Sequence, residues 1–155
     1  MLFCTNDGTV FHLELVGGGR VVTISDAESR LAITLPDRHR QAMLDPTDPI
    51  QEECDFLIPE SPHELLRWVE VNEFLHRADR WNSWPPFLVA FASNGCGDYS
   101  AYDTRTAPYR IYYIGPEHTV PEAIAACEEE GFVFHSFEEW YRHSVSRDDG
   151  PSTTR

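Results

Sequence analysis

The chain has 155 residues, 41% of them apolar and 12% aromatic. That suffices for one domain with its own core and excludes a disordered chain. Its 26 acidic residues outnumber 12 basic ones, all of them arginine, for a formal net charge of −14. Such a surface repels nucleic-acid phosphates and anionic membranes, which excludes both as partners and leaves basic proteins or simple solubility as its use.

The N-terminal segment predicts a β-hairpin over residues 9–24, with Gly17-Gly18-Gly19 as its turn and residues 21–24 as its second strand. Ser25-Asp26-Ala27-Glu28 has the form of a capping box and predicts a short helix to about Ala32. Pro36 is tolerated in a first helical turn and opens a second helix, through His39 to Leu44. Residues 45–60 carry Asp45, Asp48, Glu52, Glu53, Asp55 and Glu60 with no base, and read as a solvated loop or as an acidic docking surface, with Phe56-Leu57-Ile58 as a short strand inside it. Ser61-Pro62-His63-Glu64 combines an N-cap with proline in the first turn and predicts a helix to about Arg80. Its stripe of Leu65, Trp68, Val71, Leu75 and Ala78 should bury Trp68 against a sheet.

That sheet is predicted from residues 84–113. Phe87 to Ala92 is an unbroken apolar run of strand length. Asn94-Gly95 supplies the positive φ angles of a hairpin turn, and Asp98 to Thr104 returns as a second strand. After Ala107-Pro108, a third strand runs from Tyr109 to Ile114, dense in strand formers. Thr119-Val120-Pro121-Glu122 then starts a helix to Glu130 that Gly131 ends. Phe132-Val133-Phe134 is a short strand or an apolar tether, and Ser136 caps a last helix to about Ser144. The expected architecture is a single α+β domain over residues 1–146, an antiparallel meander at about 86–114 covered by helices, with a flexible tail at 147–155.

Chemical motifs are sparse. Cys4, Cys54, Cys96 and Cys127 form no Cys-x-x-Cys pair, so neither a zinc ribbon nor a redox motif is expected. Cys96 sits in a glycine-flanked turn beside Asp98, whose charge disfavours a thiolate, and reads as a turn residue and not a nucleophile. No two histidines stand at the His-x-x-x-His spacing that ligates a metal from one helical face. Asp98 and Asp103 lie at odd separation, so they point to opposite faces of a strand and cannot act as an acid/base pair; Asp98 is expected to bind turn amides. The glycines fail as a phosphate loop, since strands follow them and there is no lysine. No enzyme, cofactor or metal is expected. The absence of a signal-peptide pattern at Met1-Leu2-Phe3-Cys4, together with free thiols, points to a reducing cytoplasm.

Three stretches carry a resemblance when taken in order. Ala27 to Leu31 leads into Leu35-Pro36-Asp37-Arg38, Trp84-Pro85 precedes the strand that ends in Asn94-Gly95-Cys96-Gly97-Asp98, and Ser136-Phe137-Glu138-Glu139-Trp140 closes. Together they resemble the SMI1/KNR4 family of the SUKH superfamily over roughly residues 25–145. Trp84, Pro85, Asn94, Gly95, Gly97 and Asp98 form its structural motif. The family's aromatic after Leu-Pro is replaced by Arg38-His39, so that helix is expected to pack differently, and residues 116–134 are expected to lie outside the pattern. The resemblance implies a bacterial immunity protein that neutralises a polymorphic toxin; many such toxins are nucleases with basic clefts, and a basic toxin domain is the expected partner. A regulatory adaptor like the fungal members is the alternative. Charge and aromatic exposure alone, not the family, nominate Glu52, Glu53, Asp55, Asp98, Tyr99, Asp103 and Tyr112 as partner contacts.

Overall fold

A computed structural model describes residues 23–45, 47–50, 62–77, 84–94, 96–115 and 119–146. The element order is α1 (Ile24–Leu31), α2 (Asp37–Leu44), α3 (Pro62–Leu75), β1 (Leu88–Ser93), β2 (Tyr99–Asp103), β3 (Arg110–Ile114), α4 (Val120–Glu130) and α5 (Phe137–Val145). The strands form an antiparallel sheet in the order β1-β2-β3, the expected α+β meander. The expected hairpin lies outside the described residues up to position 22. Its second strand does not reach Ile24, because Ile24 is already helical.

Local chemistry starts each helix. Thr23, and not Ser25, is the N-cap of α1: its hydroxyl accepts from the Asp26 N–H (3.1 Å), and the Asp26 carboxylate accepts from the Thr23 N–H (3.0 Å). The capping box therefore sits two residues earlier than the Ser25–Glu28 spacing suggests. It frees Glu28 to accept from the Leu35 N–H (2.7 Å) and from Arg40, which ties α1 to α2. Thr119 and Glu122 make the corresponding box for α4 (Thr119 N–H to Glu122, 2.9 Å), and Gly131 ends that helix at φ +76°. Ser136 accepts from the Glu139 N–H and caps α5.

Both faces of the sheet are covered, which is why β1 is an unbroken apolar run. The row Val89–Tyr102–Ile111 faces a core built with α1, α2, α3 and α5, and the row Ala90–Ala101–Tyr112 faces a second core built with α4. A bulge between Ala90 and Ala92 breaks the alternation, so Phe91 and Ala92 both enter the first core. There Phe91 stacks on Tyr102 (4.2 Å) and meets Trp140 edge-on (4.8 Å). His39 takes the place of an aromatic in this core. It is buried, stacks on Phe137 (4.6 Å, 2°) and shares a 2.8 Å hydrogen bond with the Tyr102 hydroxyl. The Arg38-His39 replacement therefore leaves α2 seated on an aromatic core.

α3 closes the open edge of β1 with side chains. The Asn72 amide accepts from the Ala90 N–H (2.8 Å) and donates to the Ala90 carbonyl (2.9 Å), reproducing a strand partner. Trp68 Nε1 donates to the same carbonyl (2.6 Å). The buried face of α3 is thus Leu65, Trp68, Val69 and Asn72, one position round from the predicted apolar stripe, because the surface it meets is a row of peptide groups. Val71 and Leu75 are only partly buried, and Ala78 lies outside the described residues. The helix stops at Leu75, short of Arg80, where the Leu75 carbonyl accepts from the returning Trp84 N–H (2.9 Å). Phe134 blocks the far edge by exchanging both backbone bonds with Ile111 of β3. Among the described residues, every buried side-chain nitrogen and oxygen has a hydrogen-bond partner.

Candidate functional site

The β1–β2 connection is organised by Asn94. Its Oδ1 accepts from the backbone N–H groups of Cys96 (2.9 Å) and Asp98 (3.2 Å), the Asx geometry expected of Asp98. Gly97 supplies a positive φ of 98°, while Gly95 lies outside the described residues. Cys96 is exposed, and its backbone N–H is what the turn uses. Asp98 is thereby released for a different contact. Its Oδ2 accepts from Asn94 Nδ2 and from the Tyr113 hydroxyl (2.8 Å), so β3 reaches back to the turn. Its Oδ1 accepts no hydrogen bond from the described residues and lies over Gly115, where an added Cβ would come within 2.9 Å.

These groups line one end of a half-open groove of about 540 Å³ between the first sheet face, the end of α4 and α5. Ser100, Ile111 and Tyr113 contribute from the sheet, Phe132 and Phe134 from the segment beyond α4, and Trp140 and His143 from α5. The Ile111–Phe134 bridge stops there, since the Phe132 N–H turns back to the Cys127 carbonyl and the Tyr113 carbonyl accepts from Cys127 Sγ, and the Phe132 and Tyr113 side chains both line the groove. Both rings remain exposed, Phe132 at 49% and Tyr113 at 45%. Glu130 lines the same groove. It ends the run Glu128-Glu129-Glu130 at the negative pole of α4, a last turn without a basic residue, where helix dipoles favour cations.

The nominated contact residues separate by position. Glu52, Glu53 and Asp55 lie outside the described residues. Asp98 and Tyr99 are part-exposed, Tyr99 standing edge-on to the buried Trp84 (5.7 Å, 90°). Pro85 accepts from the Leu88 N–H as β1 begins. Asp103 and Tyr112 are interior, each 2% exposed. Asp103 is held by Arg105 through Nε (2.9 Å), Nη2 (2.7 Å) and the backbone N–H (3.0 Å). Burial works against its charge, but these bonds prevail and keep its carboxyl below the usual range. Tyr112 donates to Glu128 (3.2 Å), and burial pushes its hydroxyl up. Neither residue presents a surface, because each strand face that looked open is covered by a helix or a loop arginine.

Asp48 is a further correction to the solvated-loop reading. It is 5% exposed and accepts from Arg38 (2.6 Å), the Tyr141 hydroxyl (2.7 Å) and the Ile50 N–H (3.1 Å). Burial opposes its ionisation and the three donors outweigh it, so its carboxyl sits below the ordinary value. What sequence reasoning missed is Phe132, Glu130 and His143. The available signal was an aromatic placed directly after a helix-ending glycine and an acidic last turn.

Among the described residues, no group of three histidine, cysteine or acidic side chains is placed to hold a metal ion. No helix among them is long and apolar enough to cross a membrane. Comparison with curated proteins and with solved structures finds no match. Residues 21–143 match the SMI1 / KNR4 family (SUKH-1), a span that includes residues 116–134, expected to lie outside the pattern. Members of that family bind partner proteins. With the helix-flanked meander and the ordered motifs of α1–α2, Trp84-Pro85 and Ser136–Trp140 contained in the matched span, the chain belongs to the SMI1/KNR4 (SUKH-1) family.

Proposed function

We propose that this chain is a non-catalytic immunity protein that neutralises a cognate toxin by binding it directly in the cytoplasm. Family membership over residues 21–143 carries the reading, since the family is consistent with an immunity role in general. The net charge of −14 sets the sign of the partner: a basic toxin domain, with a nuclease cleft as the natural case. Carboxylates placed where substrate phosphates sit gain association rate by steering and affinity through charge-assisted hydrogen bonds. Of the nominated contacts, Glu52, Glu53, Asp55, Asp98 and Tyr99 remain proposed for the interface. Asp103 and Tyr112 act within the fold, and Phe132, Tyr113 and Glu130 join the surface.

A tagged full-length chain is expected to retain one dominant basic protein from lysate of the source cells and to release part of it at high salt. Co-expression with that protein is expected to restore growth that the protein alone arrests. Retention of kinases or wall-synthesis enzymes, with no protected toxin, would replace this reading with that of a regulatory adaptor.

A further inference from the structure

The groove between the sheet and the last two helices carries features that the fold does not need. Phe132 follows a glycine C-cap, the place where a hydrophobic residue normally turns back onto its helix, yet half of it stays exposed. Tyr113 lines the same groove, about equally exposed, with its hydroxyl on Asp98. Asp98 Oδ1 is left without a donor from the described residues, and Gly115 leaves the space that lets it lie there. Among the described residues, the lining holds the acids Asp98 and Glu130 and no arginine. Two exposed aromatic faces beside two carboxylates, in a lining without arginine among the described residues, suit a cation on an apolar stem. Guanidinium groups stack on rings and bind carboxylate oxygens in their own plane.

Resting on the protein-binding reading above, we infer that this groove is the docking site for an arginine-bearing segment of the partner. An arginine stem lies between Tyr113 and Phe132, and its head group reaches Asp98 Oδ1 and Glu130. Tyr113 acts twice, as a wall and as the donor that fixes the Asp98 carboxylate. The acidic last turn of α4 extends the same potential towards the groove, so the segment is drawn in before it seats.

The test is an NMR titration of the full chain, labelled with ¹⁵N, using a short capped peptide of alternating arginine and glycine. The same peptide with glutamate in place of arginine is the control. Saturable, salt-weakened shifts are expected at Tyr113, Gly115 and Phe132, with none from the control. Phe132→Ala and Glu130→Gln, both surface changes that leave the spectrum of the free chain dispersed, are each expected to weaken binding about three- to tenfold. Gly115→Ala is expected to weaken it by displacing Asp98. Shifts spread over the exposed acids of α3 and α5, or the same affinity in all three variants, would overturn the inference. Toxin protection is scored separately in the same variants. A chain that protects fully as Phe132→Ala/Glu130→Gln places the toxin elsewhere and sinks the groove alone. A chain that binds the peptide in the groove but protects against no toxin sinks the immunity reading alone.

Discussion

Asn72→Leu is expected to lower the unfolding free energy by about 2–3 kcal/mol. Asn72 is fully buried and its amide supplies both halves of a strand partner to Ala90, accepting from the N–H and donating to the carbonyl. Leucine removes the acceptor and leaves the Ala90 N–H buried with nothing to bind, which alone costs about 1–3 kcal/mol. The Ala90 carbonyl keeps its bond from Trp68 Nε1, so the loss falls mainly on the donor. Asn72→Asp retains an acceptor but buries a charge facing the Ala90 carbonyl, and is expected to destabilise at least as much at neutral pH. Urea unfolding followed by tryptophan fluorescence measures both. A shift of midpoint with unchanged slope is the expected form. A loss in Asn72→Leu smaller than about 0.5 kcal/mol, the ordinary size of a surface substitution, would show that β1 needs no polar edge partner.

Acidification below pH 6.5 is expected to destabilise the fold well before the carboxylates titrate. Burial, reinforced by the positive charge of Arg40, lowers the pKa of His39 from 6.5 to about 3. A folded-state pKa below the unfolded value means that the unfolded chain takes up a proton that the native chain refuses. Stability is therefore complete above pH 6.5 and falls as pH drops towards 3, by about 1.4 kcal/mol per unit once the unfolded imidazole is protonated. Down to pH 4 this amounts to roughly 3 kcal/mol. Asp48 and Asp103, whose folded values lie below 3.8, begin to add their own losses as pH falls through about 5. The interval from pH 6.5 to about 5 therefore isolates the histidine. His39→Phe keeps the stack on Phe137 but strands the Tyr102 hydroxyl, so it should be less stable at pH 7 by about 1–3 kcal/mol and nearly flat over that interval. A wild-type protein whose unfolding free energy is level from pH 6.5 to about 5, or a His39→Phe protein with the same slope, would refute the assignment.

These two residues mark different depths of reading. His39 stands at an aromatic position of a helix opened by Leu35-Pro36, and the sequence exposes it as the one departure in an otherwise familiar step. Its burial follows from the core facing α2. Asn72 had no such signal. It lies beside the apolar stripe of Leu65, Trp68, Val71 and Leu75, and its role becomes visible only when the edge of β1 is brought against it.

What the sequence determined by itself is the local grammar. The unbroken apolar run of β1, the Asn94 turn, the capping residues of α4 and α5 and the Gly131 stop all act through backbone geometry within a few residues, so they are visible without the fold. The family could likewise be read from short motifs in order. Tertiary structure alone decided which charges and rings remain for a partner. Asp48 and Asp103 look identical in sequence to solvated acids, and Tyr112 to its neighbour Tyr113. Arg38, Arg105 and α4 withdraw the first three from solvent while leaving Tyr113 bound to Asp98 in the groove that Phe132 also lines. Exposure depends on what packs above a side chain: Tyr141 comes to Asp48 from 93 residues away and α4 to Tyr112 from beyond β3, while Arg105 closes on Asp103 from only two residues on, with no sequence pattern that marks the pair.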